Sequence, residues 1–184
     1  MNTKLYCLIL SLFILSNKME AQNDTLLPLH LGEALTLDFP TAHSDNKGVD
    51  KEVMEGRNNG IIYTLFISDE YKYRPIQNGL QLDSLYDLIT FNTLQIYATS
   101  NVESDSYSLK FGELRGKYLQ VKNNSSTNPY IAEYYMVCVS GRIFLMSTTY
   151  LSTYAEAQIK QAKDFVNHIH FNEKLGYNDQ MNRY

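Results

Sequence analysis

The chain has 184 residues, 44% of them hydrophobic, with 16 basic and 20 acidic side chains and a net charge of −4. That supplies enough apolar material for one self-sufficient core. It excludes the basic patch that a nucleic-acid interface or an anionic membrane surface requires.

The first stretch, MNTKLYCLILSLFILSNKMEAQND, reads as a secretory signal: Lys4 supplies the positive start, Leu5 to Leu15 the apolar segment, and Ala21 a small residue before a cut at Gln22. The apolar run is shorter than the about 20 residues a transmembrane helix needs, so no stable membrane span is expected after cleavage. Cys7 sits too early to be an acylation site. Losing residues 1–21 removes Lys4, Lys18 and Glu20 and leaves 163 residues with 14 basic and 19 acidic side chains, a net of −5. One cysteine then remains, Cys138, so no intrachain disulfide can form. An exported chain without disulfides fits a bacterial periplasm or cell surface better than a eukaryotic secreted domain. Cys138 lies in YYMVCVS, where it reads as a small buried hydrophobe rather than a nucleophile.

Residues 22–32 read as a tether containing a short extended piece, followed by one domain over 33–172. ALTLDFP (34–40) alternates Leu35, Leu37 and Phe39 with polar partners and stops at Pro40, as a half-buried strand does. Residues 41–60 are polar and rich in turn formers, and a surface loop is expected there. IIYTLFIS (61–68) is nearly all apolar, as in a strand covered on both faces. In residues 80–99, Leu82, Leu85, Ile89 and Ile96 fall on one helical stripe, with Asp83 as the expected N-cap. Residues 107–123 read as two short strands joined between Gly112 and Gly116. Residues 130–151 form the clearest hairpin, turning at Ser140-Gly141 and apolar on both faces. Thr153 and Glu156 have capping-box spacing. Ile159, Ala162, Val166 and Ile169 then form an apolar helical face that carries the helix through Ile169. Residues 173–184 have no period and read as a tail.

Two histidines one residue apart, His168 and His170, are the nearest approach to a chemical motif. On a helix such residues project about 200° apart and cannot share one metal ion. His30 and His43 lie far away in sequence. Asp45, Asp50 and Glu52 lack the alternating oxygen spacing of a calcium loop. No G-x-S-x-G elbow, phosphate-cradling glycine loop, H-E-x-x-H pair or C-x-x-C stands in the sequence. No catalytic residue, metal ligand or cofactor is expected. Tyrosine is the compositional oddity, at 15 residues against no tryptophan. Tyr130, Tyr134, Tyr135, Tyr150 and Tyr154 crowd the last hairpin and the start of the final helix. They read either as sheet packing or as an aromatic surface, shared with the 41–60 loop, that receives a protein, peptide or lipid-like ligand.

The order strand, strand, helix, two strands, long hairpin, helix resembles the PsbP-like fold. The residues that carry the resemblance are LTLDFP, GELRGKYLQV and GRIFLMSTTYLSTYAEAQIKQAKDFVNHIHF, and it covers about residues 33–172. It implies an α/β (α+β) class: an antiparallel sheet sandwiched by helices, α/β/α. Proteins of this fold group are mostly non-catalytic: photosystem accessory proteins, a Ran-binding transport factor, chaperones for secreted effectors and bacterial envelope proteins. No functional residues carry over, because no functional motif matches. The expectation is an exported, non-enzymatic, monomeric binding or accessory domain. The alternatives are a periplasmic immunity protein that neutralises a toxin, and a small hydrolase whose residues converge only in three dimensions.

Overall fold

A computed structural model describes residues 25–48, 51–68, 79–98, 101–124, 127–139 and 141–172. The signal segment 1–21 and the tail 173–184 lie outside the described residues. The described elements are β1 (Leu26–Leu31), β2 (Leu35–Pro40), β3 (His43–Gly48), β4 (Lys51–Asn58), β5 (Ile61–Ser68), α1 (Gly79–Gln95), β6 (Val102–Phe111), β7 (Leu114–Asn123), β8 (Tyr130–Val139), β9 (Arg142–Leu151), α2 (Glu156–Asp164), a 3-10 turn (Phe165–His168) and β10 (Ile169–Phe171). Seven strands form one antiparallel sheet in the order β3-β4-β5-β9-β8-β7-β6, and β1-β2-β10 form a second, smaller one.

Side-chain alternation decides what each face of the large sheet carries. On β8, Tyr135, Val137 and Val139 point to one side and Ala132, Tyr134, Met136 and Cys138 to the other. The first side packs under Leu35, Leu37 and Phe39 of β2, Ala162 of α2, Phe165 and Ile169. The second packs under Leu82 and Tyr86 of α1. A continuous apolar run in β8 is therefore what a strand roofed from both sides requires. On β5 only Ile61, Tyr63, Leu65 and Ile67 are buried, while the alternate residues are half-exposed, so cover on both faces is complete in β8 and not in β5. Among the described residues no helix is long and apolar enough to cross a membrane.

Four local expectations need correction. Residues 41–60 are not a surface loop: β3 and β4 form a hairpin that continues the sheet from β5. Its apolar content is small because β3 is an edge strand, where polar side chains discourage further pairing. Among residues 52–58 of β4, only Val53, Met54, Gly56 and Asn58 are buried. Asp83 is not an N-cap; α1 already runs from Gly79, and the Asp83 carboxylate instead takes both hydrogen bonds of a fork from Arg115 Nη2 at 2.7 and 2.9 Å. Thr153 does not cap the last helix. α2 begins at Glu156 with Ala155 in the cap position, whose N–H donates to Gln158 Oε1 at 3.3 Å. Nor does that helix reach Ile169: it tightens into the 3-10 turn at Phe165 and then extends as β10, because Ile169 to Phe171 pair with Leu37 to Leu35 of β2.

Tertiary bonds explain where α2 starts. Asn59-Gly60, the β4–β5 turn, has both residues at positive φ (51° and 79°), the geometry that suits a two-residue hairpin and that asparagine and glycine tolerate best. This turn docks on α2: Gln158 Nε2 donates to Asn59 O at 2.8 Å, Asn59 Nδ2 to Gln161 Oε1 at 2.9 Å, and Tyr154 OH to Gly60 O at 3.2 Å.

Candidate functional site

The five tyrosines do not assemble into one exposed patch. Tyr134, Tyr135 and Tyr150 are buried, while Tyr130 and Tyr154 are half-buried. Tyr130 and Tyr134 pack on the α1 side, whereas Tyr135, Tyr150 and Tyr154 pack on the opposite side. Adjacent positions in a strand face opposite ways, so Tyr134 and Tyr135 could not share a surface. The Tyr134 hydroxyl meets that of Tyr97 in a close hydrogen bond, and burial pushes the Tyr134 phenol up to about 12.

Two other constellations stand out. The first is a groove of about 320 Å³ between the small sheet and α2, lined by Leu26, Asp38, Ala157, Lys160, Gln161, Asp164, Phe165 and His168. Phe165, 2% exposed, belongs to the core beneath it and packs edge-on against Tyr63 at 5.3 Å between ring centres. Gln161 in turn donates to the Tyr63 hydroxyl at 3.4 Å, and burial pushes that phenol up to about 12. His168 stands on the 3-10 turn, where its Nδ1–H donates to Asp38 Oδ2 at 2.8 Å. With Nδ1 so engaged, Nε2 carries the ring's lone pair. His170 is exposed and follows Ile169, which faces the core, so the two histidines serve different neighbours. Among the described residues no three His, Cys, Asp or Glu side chains gather closely enough to hold a metal ion. His30 Nδ1 pairs with Thr36 Oγ1 at 3.0 Å, and His43 Nδ1 donates to Pro40 O at 2.8 Å.

The second constellation is internal. Glu133, only 3% exposed, accepts hydrogen bonds at Oε1 from Tyr118 OH at 2.7 Å and Gln120 Nε2 at 3.3 Å, and at Oε2 from Tyr150 OH at 3.4 Å. Desolvation first, and then the neighbouring carboxylate, hold the phenols of Tyr118, Tyr135 and Tyr150 well above their ordinary range. Tyr107 stacks on Tyr118 with ring centres 4.6 Å apart. The thiol of Cys138 is buried on the other face and pushed up to about 11 by desolvation, which removes its nucleophilic form at neutral pH.

No family model and no curated protein matches the sequence. The fold does match. Cyanobacterial PsbP (CyanoP) from Synechocystis sp. PCC 6803 superposes with a TM-score of 0.55 at 9% identity, over 85% of this chain and 98% of that one. The chain has a PsbP-like fold. Weaker similarities join it to a Bacteroides thetaiotaomicron protein (TM-score 0.43, 9% identity, 82% of this chain and 49% of that one) and to a Pseudomonas aeruginosa protein of unknown function (TM-score 0.38, 12% identity, 76% and 94%). At such identities the PsbP likeness speaks to fold alone.

Asp38, Lys160, Asp164 and Glu133 were not marked as site residues in the sequence, whereas His168 was singled out there with His170 and set aside as a metal ligand. Of the four, Glu133 alone left a trace, as the lone charge within YIAEYYMVCV.

Proposed function

We propose that this protein is an exported, non-catalytic binding or accessory domain that engages its partner at the groove beside α2. The observation that carries the reading is the groove's lining. An apolar base, Leu26, Ala157 and Phe165, is rimmed by charges of both signs: Lys160, Asp164 and the His168–Asp38 pair. A concave apolar floor with a few convergent polar groups suits the side chain or terminus of a partner polypeptide. The elements around it are fixed by the β1–β2–β10 pairing and by the Asn59-Gly60 turn, so little ordering is lost on binding.

The test places a photo-crosslinking residue at Lys160 in the exported chain, with Ser106 of the distant edge strand as control. Covalent capture of one reproducible partner from Lys160 alone is expected. Equal capture from both positions would overturn the reading.

One observation favours hydrolysis as a second reading: the Asp38 carboxylate orients His168 as it would a general base. The lining holds no serine, threonine or cysteine, so His168 would have to activate water. Turnover of a small ester, amide or phosphoester substrate that is lost in His168→Ala would establish this reading over the first.

A further inference from the structure

Two anomalies of the buried chemistry are neighbours. Glu133 is a carboxyl group at 3% exposure whose hydrogen-bond partners are neutral: two tyrosine hydroxyls and a glutamine amide. Thr148 is wholly buried, and its Oγ1 is the one side-chain oxygen or nitrogen among the described residues that is buried without a hydrogen-bond partner. In the β8–β9 ladder Glu133 stands directly opposite Thr148, and in the β5–β9 ladder Thr148 stands opposite Tyr63. Side chains opposite each other in an antiparallel pair leave the same face about 5 Å apart. One row of that face therefore reads Gln120, Glu133, Thr148, Tyr63, with Tyr150 two residues from Thr148 on the same strand and face.

A buried charge persists in proteins when a counter-charge stands beside it, and an orphaned buried oxygen marks a place where an ion or water belongs. The geometry points to a single alkali-metal cation bound between Glu133 Oε2 and Thr148 Oγ1, completed by the hydroxyl oxygen of Tyr150. The donor set is all oxygen, which suits a hard cation and not a thiophilic or imidazole-seeking metal. The charge is set by the neighbours. Tyr118, Tyr135 and Tyr150 are held neutral by burial, and Tyr63 titrates only at about 12, so no phenolate adds to the one carboxyl group of the site. A divalent ion would leave a buried positive charge behind; a monovalent one is balanced. Lys122, the basic residue of β7 next along this face, is exposed and stands opposite Ile131, not Glu133. This site is independent of the groove, and either can fail without the other.

The experiment compares melting temperatures of the exported chain in sodium, potassium, choline and N-methylglucamine chlorides at equal ionic strength and pH. A saturable rise of about 3 °C or more with sodium or potassium over the organic cations is expected. Glu133→Gln and Thr148→Val should each abolish it. Broadening of the sodium-23 resonance by the unaltered protein, reversed by potassium, reads the same site should a variant fail to fold. Identical melting in all four salts with no broadening would overturn the proposal. An alkali-cation response that survives in both variants would overturn it as well.

Discussion

Tyr86 occupies a position in which one hydroxyl replaces a rung of the sheet. The β7–β8 pairing runs from Asn123↔Tyr130 to Gly116↔Val137, and the next pair would be Arg115 with Cys138. There the Tyr86 hydroxyl, reaching down from α1, donates to Arg115 O at 2.8 Å and accepts from the Cys138 N–H at 2.9 Å. Replacing Tyr86 by phenylalanine keeps the ring, which is 1% exposed, and deletes only that bridge. The Arg115 carbonyl and the Cys138 N–H then each lose this hydrogen bond, at about 1–3 kcal/mol each. Partial closure of the strands recovers some of this, so Tyr86→Phe should cost about 3 kcal/mol. With a urea slope of about 2 kcal/mol per molar, the unfolding midpoint falls by about 1.5 M with the slope unchanged. Urea denaturation followed by circular dichroism measures it. A midpoint shift below about 0.3 M would show that β7 and β8 close without the hydroxyl and that the bridge is incidental.

Three further outcomes follow from the same packing. A Cβ added at Gly116 would lie 2.8 Å from the Met136 carbonyl oxygen, a backbone atom that cannot swing away, so Gly116→Ala should destabilise by about 2 kcal/mol in the same urea assay, whereas Gly112→Asn, at φ 60°, should change little. Seven buried tyrosines (Tyr63, Tyr86, Tyr97, Tyr118, Tyr134, Tyr135 and Tyr150) have folded pKa values raised by burial above the unfolded value of 10.0. Their contribution is complete below pH 10 and is lost as pH climbs towards the folded values, each at about 1.4 kcal/mol per pH unit. Together these match an ordinary domain's whole stability within one unit, so unfolding near pH 11 is expected. The part of the tyrosinate absorbance that belongs to these seven should therefore appear together with loss of the circular dichroism signal; ionisation of every tyrosine with the fold intact would contradict this. Cys138, held up at about 11, should alkylate at pH 8 at least about 100-fold more slowly in the native protein than in urea, as mass spectrometry of its peptide would show.

The parts of the fold legible in the sequence are those whose side chains report burial directly. Leu35, Leu37 and Phe39 alternate and are all core; the 130–151 hairpin is apolar on both faces and is roofed from both sides. The parts that were not legible are governed by partners distant in sequence. β3 and β4 carry few apolar residues because pairing with β5 holds them, although Asn59-Gly60 before an apolar run was a turn signal in plain view. The last helix stops before its apolar period does, because Ile169 faces the core equally well from a strand on β2. Both candidate sites join residues that chain separation conceals: Asp38 meets His168, and Tyr118 and Tyr150 both meet Glu133. The tyrosines that crowd the last hairpin divide between the two faces of the sheet, since neighbours in one strand look opposite ways.

Hydrogen–deuterium exchange of residues 22–184, free and with whatever crosslinking at Lys160 captures, tests the proposed groove most directly. Slowed exchange confined to residues 26–31 and 156–168, on both sides of the groove, is the predicted result. Slowed exchange confined instead to the outer face of α1, where Leu80, Leu88 and Phe91 are exposed, would contradict it.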